Sequence, residues 1–127
     1  MPAQTPEQAH ELFVEHFNAR NIDQLLALYE PEATFIPSEG PPVSGHDAIR
    51  AQLEGFLSMN CHMVLTVDKI FQANDIALLF STWRLEGRDV DGEPILVSGQ
   101  TSDVARRQAN GSWLFVIDNP QGASAAA

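Results

Sequence analysis

Apolar residues recur at three- and four-residue spacing through the first sixty positions and at alternate positions through most of the rest, which divides the chain into a helical and a strand-forming part. Ala9, Leu12, Phe13, His16, Phe17 and Arg20 fall on one face of a first predicted helix, with Gln8, Glu11, Glu15 and Asn18 mostly on the other. Thr5-Pro6-Glu7-Gln8 supplies its start: a capping hydroxyl, a proline where no amide partner is needed, and a glutamine able to close a capping box. Asn21 offers a second cap, and Ile22, Leu25, Leu26 and Tyr29 predict a short helix that Pro31 stops. A strand over residues 33–36 and a loop holding Pro37, Gly40, Pro41 and Pro42 come next. Ser44 or Gly45 then caps a third helix with Ile49, Leu53, Phe56 and Leu57 on one side.

Strands are predicted over residues 61–72, 76–88, 95–107 and 113–118. Asp91-Gly92 and Asn110-Gly111 are hairpin dipeptides, because their residues tolerate the positive φ of a tight turn, so these strands read as an antiparallel meander. The second strand is apolar on both faces, with Ala77, Leu79, Trp83 and Leu85 on one and Ile76, Leu78 and Phe80 on the other. Helices cover only one face of a curved sheet, which leaves the other for a second copy of the chain and predicts a homodimer. The fold class is α+β, three N-terminal helices packed on a curved, mainly antiparallel sheet.

The length of 127 residues predicts one domain, residues 1–122, with a mobile tail at 123–127. Seven Lys and Arg against 17 Asp and Glu give a net charge of -10, which repels nucleic acid and anionic membrane surfaces. Cys61 is the single cysteine, so neither an internal disulfide nor a cysteine-based zinc site can form. The N-terminus has no basic stretch followed by an apolar run, and the longest apolar run, residues 76–80, is too short to span a bilayer; a soluble, cytoplasmic protein is the expectation. No glycine-rich phosphate loop, dinucleotide fingerprint or nucleophile elbow is present, so no cofactor is expected. His10, His46 and His62 lack a ligand partner at metal spacing, and no metal is expected either.

Three polar residues on apolar faces are the catalytic candidates. Asp103 follows Val97, Gly99 and Thr101 on one strand face, where burial would raise its pKa and suit it to donate to a ligand oxygen. Its structural alternative is a partner to an arginine or a hydroxyl. Asp118 ends the last strand and either shares a proton with Asp103 or holds the Asp-Asn-Pro turn. His16, beside Phe13 and Phe17, is either a base or a hydrogen-bonded core residue. Phe13, Phe17, Tyr29, Phe35, Leu79 and Trp83 face inward and either line a cavity for a small apolar or aromatic ligand or fill it.

The stretches LYEPEATFI, VSGHDAIRAQL and DVARRQANGSWLFVIDNP, in this order, resemble the NTF2-like superfamily, and within it the SnoaL-like and ketosteroid isomerase-like proteins. The resemblance implies a cystatin-like α+β cone, dimerisation through the sheet, and either acid/base chemistry (isomerase, cyclase, dehydratase or hydrolase) or non-catalytic ligand binding or association. Ketosteroid isomerases use an Asp base with a Tyr and a protonated Asp at the oxyanion. In an ungapped match the base falls on Pro37 and the Tyr on Phe13, while the oxyanion Asp matches Asp103. Steroid isomerisation by that machinery is therefore not expected.

Overall fold

The computed structural model of the chain describes residues 2–124. Thr5 caps α1 (Pro6–Asn18) by accepting the Gln8 N–H at 3.2 Å, and Asn21 caps α2 (Ile22–Leu26) by accepting that of Gln24 at 3.2 Å. The second helix ends sooner than its apolar spacing suggests. Tyr29 already belongs to β1 (Tyr29–Phe35), and Pro31 lies inside that strand instead of stopping a helix. It is tolerated there because it is exposed and falls where the pairing register shifts, between Tyr29 and Thr34, so its missing N–H removes no regular ladder bond. Strand β2 (Val43–Ser44) folds back on β1, and Gly45, at φ +92°, turns the chain into α3 (His46–Ser58).

Four longer segments complete the sheet: β3 (His62–Ala73), β4 (Ile76–Arg88), the pair β5 (Pro94–Gln100) and β6 (Asp103–Arg107), and β7 (Trp113–Asp118). Gly92 and Gly111 take positive φ in the two turns that their dipeptides predict, and Asn74 does so in a third turn between β3 and β4. The strand expected over residues 95–107 is interrupted at Thr101 and Ser102. Its two halves keep one register on β4, Leu79 opposite Asp103 and Thr82 opposite Gln100. At the break the Ser81 N–H donates to the Thr101 hydroxyl at 3.1 Å, and the Ser102 N–H turns away to the Asn119 carbonyl at 3.0 Å. The bend lets a single long strand curl the sheet.

Strand order is β2-β1-β7-β6-β4-β3, with β5 also paired to β4. All pairings are antiparallel except β1 with β7, which run parallel and close the short N-terminal strand onto the end of the meander. The concave face of β4 buries Ala77, Leu79, Ser81, Trp83 and Leu85, and the intervening residues are exposed or half-buried, the alternation of a sheet covered on one side. Ala9 and Phe17 of α1 and Ile49 and Leu53 of α3 join the apolar residues of this face in one buried core. Each fully buried Leu, Ile or Phe contributes about 1.5–3 kcal/mol relative to exposure.

After β7, Gly122–Ser124 form a short 3₁₀ turn. Gly122 has φ +53°, and a Cβ there would lie 2.6 Å from the Gln100 carbonyl, so only glycine lets this segment lie over the strand break. The tail predicted from residue 123 thus begins with an ordered turn, and residues 125–127 lie outside the described residues. No helix among the described residues is long and apolar enough to cross a membrane.

Candidate functional site

The space between α1, α3 and the concave sheet is lined by Phe13 and Phe17 of α1, Leu53 and Phe56 of α3, Phe35 of β1, and Met63, Leu65, Trp83, Leu85 and Phe115 of the long strands. Pro120 closes one end, where its carbonyl accepts the Trp83 indole N–H at 2.8 Å. The polar wall is His10, Thr101, Asp103 and Asp118. The cavity has a volume of about 50 Å³.

Strand pairing explains how the two carboxylates meet. Asp103 opens β6 and Asp118 ends the neighbouring β7, and both point to the concave side, with exposures of 2% and 7%. Their partners differ. Asp103 Oδ2 lies 2.7 Å from His10 Nε2, and Oδ1 accepts the backbone N–H of Asn119 at 2.7 Å. Asp118 Oδ2 accepts the Tyr29 hydroxyl, and its carboxyl lies within hydrogen-bonding reach of the Asp103 carboxyl. His10 is itself held at both ring nitrogens, since Nδ1 lies 2.7 Å from the fully buried Ser81 hydroxyl.

Burial pushes the Asp118 carboxyl well above the usual carboxylate range, and the nearby charge of Asp103 pushes it the same way; the Tyr29 hydrogen bond opposes them without prevailing. The Tyr29 phenol is likewise raised, by burial first and then by the charge of Asp118.

Of the residues singled out in the sequence, Phe13, Phe17, Phe35 and Trp83 line the cavity together with Asp103 and Asp118. Tyr29 and Leu79 stand behind the wall, both fully buried, Tyr29 reaching in only through its bond to Asp118. His16 does not join them. The buried stripe of α1 runs through Pro6, Ala9, His10 and Phe17, with Phe13 half-buried between them, and His16 lies on its flank outside the cavity lining. The imidazole at the site is His10, which the sequence pattern passed over although it stands three residues before Phe13 and seven before Phe17. Ser81 was missed too, because a lone serine inside an apolar strand carries no pattern. Among the described residues no group of three or more His, Cys, Asp or Glu is placed to hold a metal ion.

Several solved structures share this architecture. A candidate calcium/calmodulin-dependent protein kinase type II association domain from Thiobacillus denitrificans matches with a TM-score of 0.78 at 19% identity, covering 96% of this chain and 98% of its own. A ketosteroid isomerase-like protein from Erwinia carotovora atroseptica matches with 0.77 at 19% identity, covering 88% of each chain. A candidate dehydratase of the NTF2-like family from Streptomyces avermitilis matches with 0.70 at 16% identity, covering 89% of this chain and 90% of its own. At these identities they speak for the fold alone. No curated protein is significantly similar in sequence. The SnoaL-like domain model matches residues 10–116, which reach from the cavity histidine on α1 into β7, and the chain accordingly belongs to the SnoaL-like domain family, with its NTF2-like, cystatin-like fold.

Proposed function

We propose that the cavity binds a small, neutral, apolar or aromatic compound bearing an oxygen, and that the two carboxylates act on it as acid and base in isomerase-, cyclase- or dehydratase-type chemistry. The observation that carries this is the pairing of Asp103 with an imidazole and of Asp118 with a phenol inside one apolar cavity. Two carboxyl groups in such different surroundings take different protonation states, and that division supplies an acid and a base at one pH. Asp118 donates a proton to the ligand oxygen while Asp103 accepts one from an adjacent carbon; reversal at a different carbon completes an isomerisation. No Lys or Arg lines the cavity, so an anionic ligand would find no counter-charge. The neighbours described as isomerase-like and as a candidate dehydratase are in keeping with acid/base chemistry.

Cyclohexanone in D2O is a direct probe, being neutral, of one ring, and carrying exchangeable protons beside its carbonyl. The protein is expected to accelerate loss of the α-proton NMR signals over a protein-free control. Failure both to accelerate exchange and to yield any copurifying small molecule in native mass spectrometry would overturn the proposal.

The convex face supports a second role, association with another copy of the chain. Phe71, Leu78, Val104 and Ile117 form a row across four adjacent strands, with Phe71 59% and Leu78 36% exposed. A self-complementary row of this kind suits a two-fold dimer, and the association-domain neighbour is in keeping with it. Leu78→Asp is expected to give monomers in light scattering where the wild type gives dimers, because the charge would be buried unpaired at the centre of the contact. A monomeric wild type at micromolar concentration would refute the dimer.

A further inference from the structure

Serine, imidazole and carboxylate in line invite comparison with a hydrolytic triad, and burial argues against it. Ser81 has no exposed surface and is absent from the cavity wall, so its hydroxyl cannot reach a ligand. What it can do is hold His10. We propose that Ser81 and His10 form a positioning relay that assigns the two cavity carboxylates their separate roles, fixing Asp103 as the proton acceptor and leaving Asp118 as the donor. This division of labour rests on the acid/base function proposed above, while the relay itself can be measured without any ligand.

The geometry keeps His10 bonded at both ring nitrogens in either charge state of the ring. With Asp103 as a carboxylate, Nε2–H donates to Oδ2. A neutral ring then accepts the Ser81 O–H at Nδ1, and a protonated ring donates Nδ1–H to the same Ser81 oxygen. Because a hydroxyl both donates and accepts, the His10–Ser81 contact persists whether or not Nδ1 carries a proton, with no movement of the ring. Phe115 packs on that ring at a centroid distance of 5.4 Å, which further holds its plane. The Asn119 N–H at Oδ1 and the imidazole N–H at Oδ2 together stabilise the ionised form of Asp103. Asp118 has neither donor.

The titratable groups facing Asp118 are few. Tyr29 of β1 bonds it, Asp103 of β6 lies beside it, and His10 of α1 acts on it through Asp103; the residues that α3 and β4 present to the cavity, Leu53, Phe56, Trp83 and Leu85, carry no charge. Removing the imidazole should therefore redirect the shared proton to Asp103 and ease the ionisation of Asp118.

The test is NMR of protein labelled with carboxyl-13C aspartate and 15N histidine. In the wild type, the His10 Nε2–H bound to a buried carboxylate is expected as a downfield, slowly exchanging resonance, and the Asp118 carboxyl is expected to titrate well above the ordinary carboxylate range. His10→Leu should abolish that resonance and move the Asp118 titration down toward the ordinary range. His10→Gln, which keeps a neutral N–H donor, should recover part of the shift. Ser81→Ala should speed exchange of the imidazole proton with solvent, and Asp118→Asn should leave that proton in place. An Asp118 titration unchanged in folded His10→Leu and Ser81→Ala proteins would overturn the relay. If neither variant folds, the wild type decides: absence of the protected imidazole proton, or an Asp118 that titrates in the ordinary range, overturns it equally. A relay seen by NMR without cyclohexanone exchange would leave the relay standing and count against the catalytic reading alone.

Discussion

Asp118→Asn is expected to lower the exchange of cyclohexanone α-protons by about 10²–10⁴-fold, the usual contribution of a positioned general acid. The amide is nearly the same size, and its oxygen can still accept the Tyr29 hydroxyl, so the cavity keeps its shape and loses only the transferable proton. Stability should change in the opposite sense. The folded-state pKa of Asp118 lies above its unfolded value, so its contribution is fully present below the unfolded value, about 4, and is lost as pH rises through the elevated folded one. The asparagine variant stays neutral throughout that window. Urea denaturation should accordingly show the variant to be at least as stable as the wild type at pH values above the Asp118 titration, with a flatter dependence on pH. Unchanged exchange rates in the variant would remove Asp118 from the chemistry.

The largest loss of stability from a single substitution is expected at Phe115. Its ring is 2% exposed and lies against Tyr29 at 5.5 Å, His10 at 5.4 Å and Phe13 at 6.5 Å between centroids, so it joins α1 to the β1–β7 pairing at the centre of the site. Phe115→Ala should cost about 3–5 kcal/mol, the sum of lost transfer energy and the cavity left behind. Domains of this size are stable by about 5–15 kcal/mol, so the variant should unfold at much lower urea concentration or be only partly folded at room temperature. Val90→Ala, at a fully exposed turn position, is the control and should change stability by less than about 0.5 kcal/mol. Equal effects at the two positions would mean that Phe115 does not hold the helix to the sheet.

Much of the architecture was legible because it is local. Thr5 and Asn21 cap where a hydroxyl or amide precedes an apolar stripe, and Gly92 and Gly111 turn where their φ demands it. The parallel pairing of β1 with β7 was not legible, since it joins segments more than eighty residues apart with no periodicity of its own. Pro31 misled for a related reason: proline stops a helix, but it is equally at home where strand register slips.

At the site, the sequence pointed to both aspartates because carboxylates on apolar strand faces stand out, but it had no means of telling which would be the neutral one. That depends on partners brought from α1, β1 and β4. His10 and His16 are six residues apart on one helix, and both stand near the Phe13 and Phe17 stripe; only the docking angle of α1 on the sheet selects His10. The imidazole that pairs with Asp103 comes from a residue ninety-three positions away.

The central claim is that one of two neighbouring carboxyl groups in this cavity, Asp118, keeps its proton above the ordinary carboxylate range. Isotope-edited infrared spectroscopy of protein carrying 13C-labelled aspartate tests it most directly, because a protonated carboxyl has a C=O stretch well separated from the carboxylate bands. As pH is raised past the ordinary carboxylate range the wild type should keep this band and Asp118→Asn should lack it. Its absence from the wild type, or its survival in the variant, would contradict the assignment of Asp118 as the acid.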